Sequence, residues 1–135
     1  MCGICGEISF VDKIGLPQVQ GMMKNMKHRG PDDEGVFINQ QSNLVLGFVR
    51  LSIIDLSSNA HQPMLSADQR FVLLFNGEVY NYLEIRGELT GLGYSFRSVS
   101  DSEVVLYSYI EWGEECLHKF NGMFSFVIYD TKTNI

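Results

Sequence analysis

The chain has 135 residues, which fits one domain, and its 10 Lys and Arg against 16 Asp and Glu leave a net charge of −6 that argues against a nucleic-acid-binding surface. A hydrophobic content of 45% is ordinary for a folded core, and no apolar run approaches the ~18 residues needed to cross a bilayer. Three cysteines make an odd count with no disulfide framework, and the start lacks a basic stretch followed by an apolar one, so the expected compartment is the reducing cytoplasm.

The first stretch with chemistry in it is Met1-Cys2-Gly3-Ile4-Cys5-Gly6. Removal of Met1 would leave Cys2 carrying both a thiol and a free α-amino group. The thiolate is the reactive form of cysteine, and an α-amine titrates near ~7.7–8.0, so it can act as base to the thiol of its own residue. The same residues read as a Cys-x-x-Cys spacing. Zinc would need two more soft ligands in a second cluster, and the chain offers only Cys116 and the scattered His28, His61 and His118, so no metal site is expected. A redox dithiol would follow a strand and open a helix, whereas this motif starts the chain.

Ile4, Ile8 and Phe10 predict a first strand. Pro17 suits the first turn of a helix, Met22, Met23 and Met26 give that helix an apolar stripe, and it should stop near His28. Arg29-Gly30-Pro31-Asp32-Asp33-Glu34-Gly35 carries turn chemistry. Residues 36–38 and 44–49 then read as paired strands around the polar loop 39–43. Arg50-Leu51-Ser52-Ile53-Ile54-Asp55 ends that pair. An Arg at a strand end is usually only exposed, but its planar fork also suits a bidentate carboxylate. Residues 57–63 form a polar loop containing His61.

Residues 71–75 are apolar throughout and predict a buried strand running into Asn76-Gly77-Glu78-Val79-Tyr80-Asn81-Tyr82. On spacing alone Asn76-Gly77 is more simply a hairpin turn. The alternative is that the Asn76 side-chain N–H and the Gly77 backbone N–H are adjacent donors for an oxyanion. Asn81 with Glu84 predicts a capped helix through about Leu92, and 94–96 a short strand. Ser100-Asp101-Ser102-Glu103 fits a capping box opening another helix, in which Asp101 complements the helix dipole without needing any ligand. Residues 114–118 suggest a short helix, 122–130 a strong strand and 131–134 a hairpin tip.

Taken together, Met1-Cys2-Gly3-Ile4, residues 29–35, Arg50 to Leu56, Phe75 to Asn81, Ser100 to Glu103 and Phe120-Asn121-Gly122-Met123-Phe124 resemble the glutaminase domain of glutamine-dependent asparagine synthetases. That domain belongs to the class II glutamine amidotransferases, which are N-terminal nucleophile hydrolases. The motifs occur in family order over nearly the whole chain. The resemblance implies one amidotransferase domain over residues 1–135 with an α+β, four-layer αββα sandwich fold. Members continue past Ile135 with a further strand, so the fold is expected to be truncated at its C-terminal end.

By the same resemblance Cys2 is the nucleophile, and Asn76 and Gly77 form the oxyanion hole, reversing the preference for a plain turn. Arg50 holds the glutamine α-carboxylate, Leu51, Ser52, Ile53 and Ile54 line the pocket, and Glu78 and Asp101 hold the α-ammonium. Glutamine is hydrolysed through a Cys2 thioester, and the ammonia passes to a C-terminal synthetase domain. No cofactor is implied in the glutaminase domain itself, while ATP and Mg are expected with the synthetase domain. A homodimer is compatible with the resemblance; nucleic acid and membrane are not expected partners. The competing readings are a catalytically silent interaction or structural module of the same fold, and an amidotransferase feeding a sugar phosphate or phosphoribosyl acceptor.

Overall fold

The computed structural model describes residues 2–11 and 15–135. Met1, whose removal the nucleophile reading requires, lies outside the described residues. The elements run β1 (Gly3–Ile8), α1 (Leu16–Met26), β2 (Asp33–Asn39), β3 (Leu44–Arg50), β4 (Met64–Leu65), β5 (Phe71–Val79), α2 (Tyr82–Gly91), α3 (Asp101–Trp112) and β6 (Gly122–Asp130), with 3-10 turns at Ser58–Ala60 and Gly113–Lys119. They make a mixed α and β architecture with two antiparallel sheets, ordered β1-β3-β2 and β4-β5-β6.

Strand alternation assigns each sheet two jobs. In β3, Leu44, Leu46 and Phe48 cluster with Val72, Leu74 and Tyr129 of the second sheet, joined by Cys2 and Ile4 from β1's end of the chain. The intervening Val45 and Val49 turn the other way and pack with Val19 and Met23 of α1. In β5 the odd-numbered Leu73, Phe75 and Val79 form the third cluster with Ile85 and Leu89 of α2 and Val104 to Tyr107 of α3. Burying a side chain such as Phe48 or Leu74 stabilises the fold by roughly 1.5–3 kcal/mol.

Helix α1 carries Pro17 in its first turn, and its core-facing stripe is Leu16, Val19, Met23 and Met26, which keeps two of the three expected methionines; Met22 faces outward. The spacing of three, four and three residues sets one face, and Met22 falls beside it. The helix can lie this close because β3 has Gly47 beneath it. A Cβ there would come 2.7 Å from Val19 and 2.8 Å from the Met23 sulfur.

Several expectations change. The first strand ends at Ile8, and Phe10 lies beyond it, 90% exposed. No strand forms at 94–96; Tyr94 instead packs obliquely and Phe96 edgewise on Tyr107 of α3, so tertiary contact replaces a ladder. Asn81 precedes α2 without capping it through its side chain. Its amide instead donates to the Lys119 carbonyl and accepts from the Asn121 N–H, tying α2's start to the segment just ahead of β6. The Ser100 hydroxyl does accept from the Glu103 N–H. The Glu103 carboxylate does not return to Ser100; it accepts from the N–H groups of Arg97 and Ser98 and the Ser98 hydroxyl. Asn76-Gly77 is not a turn: both lie inside β5, opposite Ser125 and Phe124 of β6 in an unbroken register from Phe71 to Val79.

Candidate active site

Even-numbered residues of β5 and β3 point into the seam between the sheets, and at one end of the seam the apolar pattern stops. Phe48 is followed on that face by Arg50, Leu74 by Asn76 and then Glu78, and Ile4 is preceded by Cys2. The four polar side chains line one cavity of about 290 Å³. Leu51, Ile53, Ile54 and Asp55 wall it from the loop after β3, and Asp101 and Ser102 from the first turn of α3.

Of the residues singled out in the sequence, Cys2, Arg50, Leu51, Ile53, Ile54, Asn76, Gly77, Glu78 and Asp101 all meet at this cavity. Ser52 does not. Its backbone N–H donates to Asp32 Oδ2 at 2.8 Å, which turns it to a neighbouring groove beside Asp32 and Asp33. Cys5 is also elsewhere. Three steps along an extended strand reverse the face, so Cys5 packs under α1 with its Sγ 3.6 Å from the Gly47 carbonyl. This separates the two cysteines of the Cys-x-x-Cys spacing, and among the described residues no cluster of His, Cys, Asp and Glu could hold a metal ion.

The Cys2 Sγ lies 3.4 Å from the Leu51 N–H nitrogen and 3.6 Å from its carbonyl oxygen, and Arg29 Nε donates to the Cys2 carbonyl at 3.1 Å. The thiol is therefore fixed from both sides. Gly30 permits this fit, since a Cβ there would run into the backbone joining Val49 and Arg50.

Arg50 is 7% exposed. It donates to the carbonyls of Ser57, at 3.0 Å, and Asp55, which folds the loop over the cavity. With two of its five N–H donors so used, three remain for a ligand. The Asp55 carboxylate accepts from the N–H groups of Ser57 and Val99, and the Ser57 hydrogen bond with support from Val99 and Arg50 holds its carboxyl below the usual range.

Across the cavity sit two acids. Asp101 is 5% exposed, and its Oδ2 accepts from the Val79 N–H at 3.0 Å. Burial, reinforced by the nearby Glu78 charge and opposed by the Val79 hydrogen bond, pushes its carboxyl up to about 6. Burial also raises Glu78. The cavity thus offers a guanidinium at one wall and a carboxylate pair at another, which suits a zwitterion. Asn76 lines the same cavity, and its buried Oδ1 has no hydrogen-bond partner among the described residues.

A family model described as a glutamine amidotransferase domain matches residues 1–135. The chain belongs to this family. The amidotransferase domain is 38% identical over 139 residues to glutamine-hydrolysing asparagine synthetase 1 of Bacillus subtilis, covering 98% of this chain and 22% of that protein. It is 35% identical to glutamine-hydrolysing asparagine synthetase 3 of the same organism, covering 100% and 22%. A Methanocaldococcus jannaschii protein whose name also describes a glutamine-hydrolysing asparagine synthetase is 38% identical, covering 100% and 29%. The amidotransferase domain therefore spans under a third of the length of these relatives, at their N-terminal part.

Sequence reading missed Gln62, Tyr80 and Met123 as parts of the cavity wall. Gln62 stood in a polar loop with no local pattern to mark it, while Tyr80 and Met123 lay within recognised motifs but read as ordinary flanking residues.

Proposed function

We propose that the domain hydrolyses glutamine to glutamate and ammonia through a thioester on Cys2. The supporting observation is the convergence of Cys2, Arg50, Asn76 and Asp101 on one cavity from four separate stretches of chain. Arg50 binds the substrate α-carboxylate through its remaining N–H donors, and Asp101 with Glu78 binds the α-ammonium. Leu51, Ile53 and Ile54 flank the aliphatic carbons, with Ser52 bracing that wall from behind.

Once Met1 is removed, the Cys2 amine takes the thiol proton as the sulfur attacks the side-chain amide carbon. The oxygen gains charge and is met by the Asn76 side-chain N–H and the Gly77 backbone N–H. The C–N bond breaks with proton return from the amine, ammonia leaves, and water hydrolyses the thioester to glutamate and free thiol. Neither half-reaction calls for a cofactor. In the longer protein, the ammonia feeds an ATP- and Mg-dependent synthetase domain that makes asparagine, in the cytoplasm. The stacking of α1, the two sheets and the α2–α3 pair corresponds in this reading to the αββα sandwich of N-terminal nucleophile hydrolases.

The test is glutamate and ammonia release from glutamine, with Cys2→Ala as the decisive variant. Wild type should turn over and Cys2→Ala should not, since no thioester can form. Equal rates from the two would refute the mechanism.

A further inference from the structure

We infer that Gln62 is a positioning residue for the oxyanion hole: its side-chain amide stands in for a missing strand neighbour of β5 and holds the Phe75-Asn76-Gly77 backbone in register. This rests on the glutamine-hydrolysis reading above and deepens it.

The observation begins with β4. It is only two residues long and pairs Met64 with Leu73 and Leu65 with Val72. Continuing that register backwards would set residue 62 opposite Phe75. Pro63 has no N–H to donate, and the backbone ladder stops. The Gln62 side chain continues it. Its Oε1 accepts from the Phe75 N–H at 2.6 Å, and its Nε2 donates to the Phe75 carbonyl at 3.3 Å. One amide thus makes both bonds that a paired residue would make. Gln62 is 3% exposed, so both contacts are shielded from water.

The importance lies in the alternation of the β5 backbone. Tyr80 donates to the Asn121 carbonyl and the Arg70 carbonyl accepts from Thr131, so even-numbered residues turn their hydrogen bonds towards β6. Odd-numbered residues turn the other way. Phe71 meets Ser66, Phe75 meets Gln62, and Val79 meets Asp101. Gly77 lies between the last two, its N–H on the same edge, with no partner there among the described residues. Two side chains close this edge on either side of the one amide that must stay open for an oxyanion. Removing the Gln62 clamp frees the edge just ahead of Asn76 and Gly77.

Gln62 is itself held. A Cβ at Gly35 would run into the Gln62 carbonyl oxygen, so β2 packs directly beneath it, and the adjoining His61 pairs with Asp33 at 2.7 Å. Its Nε2 also reaches the Ser102 hydroxyl at 3.4 Å, beside Asp101.

The test compares two ligands on the intact protein. Glutamate binds through its α-carboxylate and α-ammonium without a tetrahedral centre. The aldehyde analogue of glutamate adds the Cys2 thiol across its carbonyl, forming a C–S bond and placing the former carbonyl oxygen in the oxyanion hole. Gln62→Glu keeps the shape but replaces the donor with an acceptor facing the Phe75 carbonyl. Gln62→Met keeps the volume and removes both bonds. Each should leave glutamate affinity within about threefold, weaken aldehyde binding by about 10- to 100-fold, and lower kcat per titrated Cys2 thiol by a similar factor. Measurable glutamate binding reports that a variant is folded. If either folded variant keeps the wild-type ratio of aldehyde to glutamate affinity, Gln62 does not position the hole. That outcome, with wild type active and Cys2→Ala inactive, leaves the hydrolytic reading intact. Wild type that consumes no glutamine overturns both.

Discussion

Replacing Asn76 by Ala separates its place in β5 from the electrostatic role proposed for it. Its side chain points into the seam, with Oδ1 buried and unpartnered among the described residues. A buried acceptor left unmade costs about 1–3 kcal/mol of stability. Truncation removes that cost and loses some packing in exchange, so the folded domain should lose little stability or gain some. Catalysis should move the other way. One of two donors to the developing oxyanion disappears, and loss of such a donor typically raises the barrier by about 2.7–4 kcal/mol, or 10²–10³ in kcat. KM should change much less, because the proposed binding of ground-state glutamine rests on Arg50 and Asp101. The assay is kcat per titrated Cys2 thiol, alongside thermal unfolding. A kcat within about threefold of wild type, far short of that loss, would refute the oxyanion assignment. A large stability loss with kcat unchanged would reduce Asn76 to a structural strand residue.

Arg50→Lys should raise KM for glutamine by about 10- to 100-fold, because an ammonium cannot hold the loop carbonyls and also present a fork to a carboxylate worth roughly 1.5–3 kcal/mol; an unchanged KM would remove Arg50 from substrate binding. Asp101 titrates at about 6 because burial raises it, so its charge is present above that pH and lost below. Between pH 7 and 5, kcat/KM should therefore fall about tenfold on this account. Asp101→Asn should start lower at pH 7 and lack that acid limb, and an identical acid limb in the variant would assign the titration to another group.

The elements legible in the sequence were those with strong local periodicity. Strands β3, β5 and β6 and helices α2 and α3 appear near their expected places because long apolar runs and punctuating glycines leave few alternatives. Three readings failed for one shared reason, that tertiary partners outweighed local propensity. Asn76-Gly77 has the composition of a hairpin turn, but β6 pairs with β5 straight through it, and at Gly77 the strands approach so closely that a Cβ would run into the Met123 carbonyl oxygen. Asn81 has the composition of a cap, yet its amide finds the backbone of Lys119 and Asn121, just ahead of β6, instead. Tyr94 and Phe96 have strand composition, yet Tyr107 supplies ring contacts and no neighbouring strand supplies a ladder. Most cavity residues were legible through their motifs, since Cys2, Arg50, Asn76 and Asp101 sit at the ends or interruptions of recognisable elements. Gln62 was not, because its importance depends on which strand passes beside its loop.

The opposite orientations of Cys2 and Cys5 have a consequence for how the domain would age in air. Three residues of extended chain separate their α-carbons by about 10 Å, beyond the roughly 7 Å that a disulfide spans, and the sheet itself lies between the sulfurs. Cys116 is buried. An oxidant reaching the cavity would convert Cys2 to a sulfenic acid with neither Cys5 nor Cys116 placed to condense with it. Further oxidation then runs to sulfinic acid, from which ordinary reductants give no return. Inactivation by peroxide should accordingly be recoverable early with an added small thiol, and permanent once that interval has passed.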